Sequence, residues 1–354
     1  MIGPRRILIL GVALLQAGCG GGPAPWSAAG PLRLQEQVSG TTRLLQAVSV
    51  VDANVVWVSG HGGTYARTTD GGATWRAAVV PGADSLQFRD VHALDARTAW
   101  LLAAGTGDLS RIYRTDDGGA TWTLQWTNPE PEGFYDCLDF RDARRGVAYG
   151  DAVGGALRIL VTEDGGRSWH LVPDDALPPA LPGEGGFAAS GLCVETGPAG
   201  RAWIAAGNAT ASRVFLTGDD GRSWRAVRVP VEAGEGAGLT AISMADARRG
   251  FVFGGILHAP DAHTRNVART DDGGETWTLL PALSFPGAAY GGLVVPGTGG
   301  RGLVAVGPGG AAASVDGGES WITLDDRAWW SIGSGGVGAT WITGPDGRIA
   351  RLAW

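Results

Sequence analysis

From Leu45 onward the chain reads as short apolar runs divided by polar, Gly-rich turns. The first stretch shows the order: an apolar run Leu45 to Val51, Asp52-Ala53-Asn54, a run Val55 to Gly60, His61-Gly62-Gly63, then Thr64 to Thr69. Runs of this length, bounded by Gly, Asn and Asp, predict strand, turn, strand, turn, strand. A further strand is expected after Trp75, making four.

The same order recurs along the chain, each time ending in one phrase. Its copies are TTDGGATW (68–75), TDDGGATW (115–122), TEDGGRSW (162–169), TGDDGRSW (217–224), TDDGGETW (270–277) and SVDGGESW (314–321). Successive Trp residues of the phrase lie 44 to 55 residues apart, which suits one four-stranded propeller blade per repeat. Asp-Gly-Gly between two β-prone runs predicts a tight hairpin, with the Gly residues at positive φ and the carboxylate accepting backbone amides. Asp70, Asp117, Asp164, Asp219, Asp272 and Asp316 are therefore expected to be structural. Trp75, Trp122, Trp169, Trp224, Trp277 and Trp321 are expected to pack between neighbouring blades.

Six copies leave residues 329–354 over, which supply three more strands (WWSIG, ATWITG, RIARLAW) and no phrase. Leu32 to Val38 can provide the missing strand. The expected fold is an all-β, seven-bladed β-propeller spanning residues 32–354, whose last blade is closed by the N-terminal strand.

Composition narrows the chemistry. The chain has 354 residues, 60 of them Gly and 15 Trp, and all 28 basic residues are Arg. Without Lys, Schiff-base catalysis, a Lys-dependent phosphate loop and a lysine base are excluded. The net charge of −7 disfavours non-specific nucleic-acid binding. Residues 1–18 read as a signal peptide, with Arg5 and Arg6 before an apolar run too short to cross a bilayer. Gln16-Ala17-Gly18-Cys19 resembles the bacterial lipoprotein cleavage motif, although Leu15 lies one position too far upstream, so Cys19 is the expected lipidation site. Residues 19–31 have the composition of a flexible tether. Together these predict export to the periplasm or outer surface of the cell envelope, with membrane contact through the lipid only.

The repeated phrase resembles the Asp-box, or bacterial neuraminidase repeat. The blade pattern resembles the photosystem II stability and assembly factor family and its exported bacterial relatives. That resemblance implies the propeller fold strongly and function weakly, because Asp-boxes occur in glycosidases and in non-enzymatic assembly factors alike. It favours a non-enzymatic protein-binding or complex-assembly role without a cofactor. The alternative is a glycosidase or glycan lyase acting on a glycan. Sialidase activity is disfavoured, because Arg111-Ile112, Arg158-Ile159 and Arg348-Ile349 lack the following Pro of the sialidase motif.

Propeller geometry places the phrases on one face with the strand 1 to 2 turns, including the two DARRG segments at 142–146 and 246–250. Arg144, Arg145, Arg248 and Arg249 are solvated turn residues or an anion and partner patch. The opposite face receives the long crossings 127–133, 173–186 and 230–238, and long loops on a rigid ring commonly carry binding residues. The candidates near that mouth are Arg89, Asp90, Tyr135, Asp136, Asp151, Tyr290, Trp329 and Trp330, with Phe134, Phe187 and Thr240 beside them. They form either a sugar or peptide site or a plug for the central channel. No spacing selects a catalytic carboxylate pair from Asp90, Asp136, Asp139 and Asp151.

No metal site is expected, since the phrase lacks the alternating carboxylates of a calcium loop and His258 and His263 have weak metal spacing. The Gly-rich segments 297–302 and 333–338 match a dinucleotide fingerprint but link strands inside a repeat. Cys137 and Cys193 occupy nearly equivalent places in adjacent units, as a disulfide or as two separately buried thiols.

Overall fold

The second strand of each repeat is nearly all apolar, as in Val56–Gly60, Ala99–Ala103 and Ala202–Ala206, so it must be covered on both faces. The computed structural model, which describes residues 32–353, achieves this with seven four-stranded antiparallel sheets. The first strands of successive sheets are neighbours all the way round, and those of the first and seventh meet to close the ring. The chain is a seven-bladed β-propeller. The expected signal peptide, the tether and Cys19 lie outside the described residues.

Blades one to six follow chain order. They start at Leu45–Val50, Phe88–Ala93, Tyr135–Phe140, Val194–Thr196, Ala237–Met244 and Gly291–Val294. In each, the fourth strand lies at the rim and carries exposed residues, whereas the second lies in the middle of the sheet. The seventh blade is Ser331–Ser334, Thr340–Thr343 and Arg348–Ala353, completed by Arg33–Val38 as the outer strand. All six residues of that outer strand pair, from Arg33 opposite Ala353 to Val38 opposite Arg348.

Each phrase folds by the same local bonds. In the first, Thr68 Oγ1 donates to Asp70 Oδ1 (2.7 Å) and accepts from Gly72 N (2.9 Å). Asp70 also accepts from Thr74 N (2.9 Å) and Thr74 Oγ1 (2.6 Å). Gly71 and Gly72 sit at φ of 71° and 86°, where a side chain would be strained. Donors from the Thr side chains hold the carboxyls of Asp70, Asp117 and Asp272 down at about 2. At Asp164, Asp219 and Asp316 burial pushes upward, and the same kind of bonds override it.

Every phrase also bonds to the strand 1 to 2 turn of its own blade. Gly71 N donates to Asn54 O, Gly118 N to Arg97 O, Gly165 N to Arg144 O, Asp220 N to Gly200 O, Gly273 N to Arg248 O and Gly317 N to Arg301 O. All six phrases therefore share one face with those turns.

Blades are locked together by tryptophans. Trp57, Trp100 and Trp203, on second strands, are buried and send their indole N–H to a carbonyl of the next blade, at Asp95, Gly165 and Gly273. Arginines of the third strands cover two of these rings, Arg67 at 5.0 Å from Trp57 and Arg114 at 5.1 Å from Trp100. Of the phrase tryptophans, Trp75, Trp169, Trp224 and Trp277 are buried, while Trp122 and Trp321 are half-buried.

Candidate functional site

The site grows out of a feature of the first strands. In blades one, two, three and five the pairing of the first strand skips one residue, between Leu45 and Ala47, Phe88 and Asp90, Tyr135 and Cys137, and Leu239 and Ala241. The bulged residues are Gln46, Arg89, Asp136 and Thr240. A bulge re-aims the extra side chain, and these four equivalent positions supply polar groups around the axis at the loop-rich end.

Gln46 and Asp136 meet a segment that crosses the axis. Residues 186–193 leave the long third crossing and run through the middle of the ring before Val194–Thr196 begins. Gln46 Nε2 donates to Ala188 O (2.8 Å), Ser331 Oγ to Ser190 O (2.8 Å), Ser190 Oγ to Tyr290 O (2.7 Å) and Ile242 N to Leu192 O (2.9 Å). Main chain from one crossing thus blocks the channel and ties the first, fifth, sixth and seventh blades together. Cys137 and Cys193 form a disulfide with Cα atoms 5.8 Å apart, which settles the alternative left open by their spacing and anchors the end of this segment.

Above the segment lies a pocket of about 240 Å³. Its walls include Phe187, Tyr290 and Trp330, with the last two rings edge to face at 5.0 Å. Leu44 and Leu257 add apolar surface, Ala188 and Ala189 form part of the lining, and Gln46, His61 and Arg89 are its polar groups. Gln46 spends its amide N–H on Ala188, so its oxygen accepts from His61 Nε2 at 2.7 Å. Burial, and then the nearby Arg89, hold the His61 imidazolium form down, leaving the ring neutral at physiological pH. Arg89 Nε and Nη2 both reach Gln87 Oε1, at 3.0 and 2.6 Å.

The predicted mouth residues divide. Arg89, Tyr290 and Trp330 line the pocket. Asp136 is buried and Asp151 half-buried behind it, where Gly186 N donates to Asp151 Oδ1 (3.1 Å) and the amides of Gly186 and Ala188 face Asp136. A Cβ at Gly185 would sit 1.9 Å from Asp151 Oδ1, so only glycine fits there. Tyr135 and Trp329 instead pack in the cores between blades two and three and between six and seven, at 1% and 0% exposure. Asp90 faces the opposite recess, of about 290 Å³ on the phrase side, and accepts Leu138 N at 2.6 Å.

Four further predicted residues are held within their own blades, by the neighbouring phrase or their own turn. Arg144 Nε donates to Glu163 O and Arg248 Nε to Asp271 O, at 3.1 and 3.3 Å. Arg249 pairs with Asp271 at 2.9 Å and Arg145 with Asp142 at 3.4 Å. They lie on the phrase face of blades three and five, which are not adjacent. His258 and His263 are exposed.

Sequence reasoning missed Gln46, His61, Leu44 and Leu257. Aligning the repeats offered a signal for the first: Gln46, Arg89 and Asp136 all stand second in their first strands as polar residues.

Burial, and then the neighbouring Asp151 charge, push Asp136 well above the usual carboxylate range, with Arg89 opposing. Burial pushes Asp151 up to about 6. The folded pair therefore holds protons that an unfolded Asp, at about 3.8, has lost, and stability contributed here declines as pH rises from about 4 through 6. The phrase carboxyls at about 2 act in the opposite sense, losing stability as pH falls from 3.8 towards 2. The melting temperature is expected to peak near pH 4 to 5, and Asp136→Asn with Asp151→Asn should flatten only the neutral side. Calorimetry from pH 3 to 8 checks this, and an unchanged neutral slope in the double variant would refute it.

No family model matches the chain, and no curated protein matches it. Solved structures do. A structure described as YCF48 bound to D1 peptide is 17% identical, with a TM-score of 0.63 over 93% of this chain and 99% of that one. YCF48 from Cyanidioschyzon merolae is 18% identical, with a TM-score of 0.61 over 91% and 99%. The GH74 xyloglucanase from Xanthomonas campestris is 15% identical, with a TM-score of 0.62 over 92% of this chain and 55% of that one. At these identities the likeness concerns the fold, and with the ring of seven four-stranded sheets it makes this chain a seven-bladed β-propeller like theirs.

Proposed function

We propose that this protein is an exported, lipid-anchored, non-enzymatic propeller that binds a protein partner of the cell envelope at its loop-rich mouth, with the repeated phrases acting as Asp-boxes that brace the ring. The observation that carries this reading is the pocket bounded by Tyr290, Trp330, Phe187 and Arg89 on the rigid, plugged ring. Aromatic anchors beside an Arg are the side chains that dominate protein recognition. The likeness to a YCF48 structure holding a D1 peptide supports a peptide as the occupant.

The glycosidase reading, supported by the GH74 likeness, has less in its favour. Asp136 and Asp151 stand behind the pocket and support the axial segment, and the phrase-side acids are spent as acceptors between blades. Asp139 Oδ2 takes Thr196 N at 2.7 Å, and Glu195 Oε2 takes Met244 N at 2.8 Å.

A photo-crosslinking amino acid at position 330 is expected to capture a discrete envelope protein in intact cells, while one at Arg97 on the opposite face captures none. Equal capture from both faces, or turnover of a polysaccharide panel abolished by Asp136→Asn, would overturn the reading. Anchoring is tested separately: Cys19→Ser should move the protein from the membrane to the soluble fraction, and unchanged membrane association would reject the lipid.

A further inference from the structure

We infer that the mouth pocket takes the free C-terminal carboxylate of a polypeptide, with Arg89 pairing with the carboxylate and an apolar or aromatic last side chain held among Phe187, Tyr290 and Trp330. This deepens the protein-binding reading and rests on it.

Charge comes first. Arg89 is the one permanently charged residue in the pocket lining, and no carboxylate lines it. Two of its N–H groups go to the neutral Gln87 side chain, and a guanidinium carries five. Its remaining donors have no protein acceptor among the described residues. The nearest acid, Asp136, lies behind the wall, and burial favours its protonated form. A partly desolvated guanidinium without a counter-ion is a strong site for a single anion, and the bidentate match to a carboxylate is its best geometry. There is no second cation to suit a doubly charged phosphate.

Shape selects the end of a chain over its middle. The axial segment, pinned by Gln46, Ser190, Ser331 and the disulfide, blocks passage into the channel. At about 240 Å³ the pocket falls below the roughly 300–1,000 Å³ of sites for drug-sized ligands. It holds one residue. The apolar lining of Leu44, Leu257, Phe187, Tyr290 and Trp330 favours an uncharged side chain there, and the neutral His61 adds no competing charge.

The test uses the full chain and one fluorescein-labelled seven-residue peptide, Ser-Gly-Ser-Gly-Ala-Leu-Phe, as free acid and as C-terminal amide. Anisotropy should show the acid binding at least tenfold more tightly than the amide. Arg89→Gln should abolish that difference by weakening the acid, and Trp330→Ala should weaken both peptides. Matching melting temperatures establish that the variants are folded. Equal binding of acid and amide, no binding of either, or a preference that survives Arg89→Gln each overturns the carboxylate inference. Crosslinking at position 330 judges the protein-binding reading independently, so that partner capture without acid preference would sink only the inference drawn here.

Discussion

Removal of residues 32–38 is expected to lower the melting temperature by on the order of 10 °C, because those residues lock the ring as well as lengthen a sheet. Gln37 is the lock. Its Oε1 accepts the indole N–H of both Trp341 in the seventh blade and Trp75 in the first, each at 3.0 Å, and its Nε2 reaches Gly71 O at 3.3 Å. Without the strand, two buried indole donors lose their acceptor, at about 1–3 kcal/mol each. The partner strand Arg348–Ala353 becomes a bare edge, and Leu34 no longer packs on the core between the sixth and seventh blades. The sum is on the order of 5 kcal/mol. Gln37→Ala alone should reproduce a large part of it. Glu36→Ala, which breaks an exposed pair with Arg327 (2.6 Å), should cost under about 1 kcal/mol. Scanning calorimetry of the three variants checks the ranking, and a truncation that melts like the intact chain would refute closure by this strand.

The second large effect is expected from Cys137→Ser with Cys193→Ser. The disulfide closes a loop across 56 residues and joins the third blade to the end of the axial segment. Loss of such a bridge costs about 2–5 kcal/mol, mostly through the greater freedom of the unfolded chain. Here a local consequence is added. The segment carries Phe187, Ala188 and Ala189 into the mouth pocket, so loosening its anchor should weaken binding there as well. Dithiothreitol should lower the stability of the native protein towards that of the double variant and leave the variant unchanged. Equal stability of native and variant proteins under oxidising conditions would overturn this expectation.

The fold was legible in the sequence because its determinants are local. Thr68, Asp70, Gly71, Gly72 and Thr74 make the hairpin among themselves, so six contiguous phrases reveal six blades. The seventh followed from counting strands, and the shared face of phrases and first turns followed from hairpin geometry. Arg89, Tyr290 and Trp330 were reached the same way, as residues near strand starts at the loop-rich end.

What the sequence left undecided depends on direction and on distant chain. Trp329 and Trp330 are neighbours, yet one is fully buried between blades and the other lines the pocket, because side chains alternate and one position of register exchanges them. Tyr135 and Asp136 straddle a bulge that breaks this alternation, so counting along the strand misplaced Tyr135 at the mouth. The axial segment is the largest omission. Its bonds join Gln46 to Ala188, 142 residues away, and Ser331 to Ser190, 141 residues away. The repeat thus determined the ring, whose sheet and hairpin hydrogen bonds close within each of the first six units, whereas only the assembled ring brought residues 186–193 against Gln46, Asp136, Ile242, Tyr290 and Ser331 of five blades and so decided where the channel ends and a pocket begins.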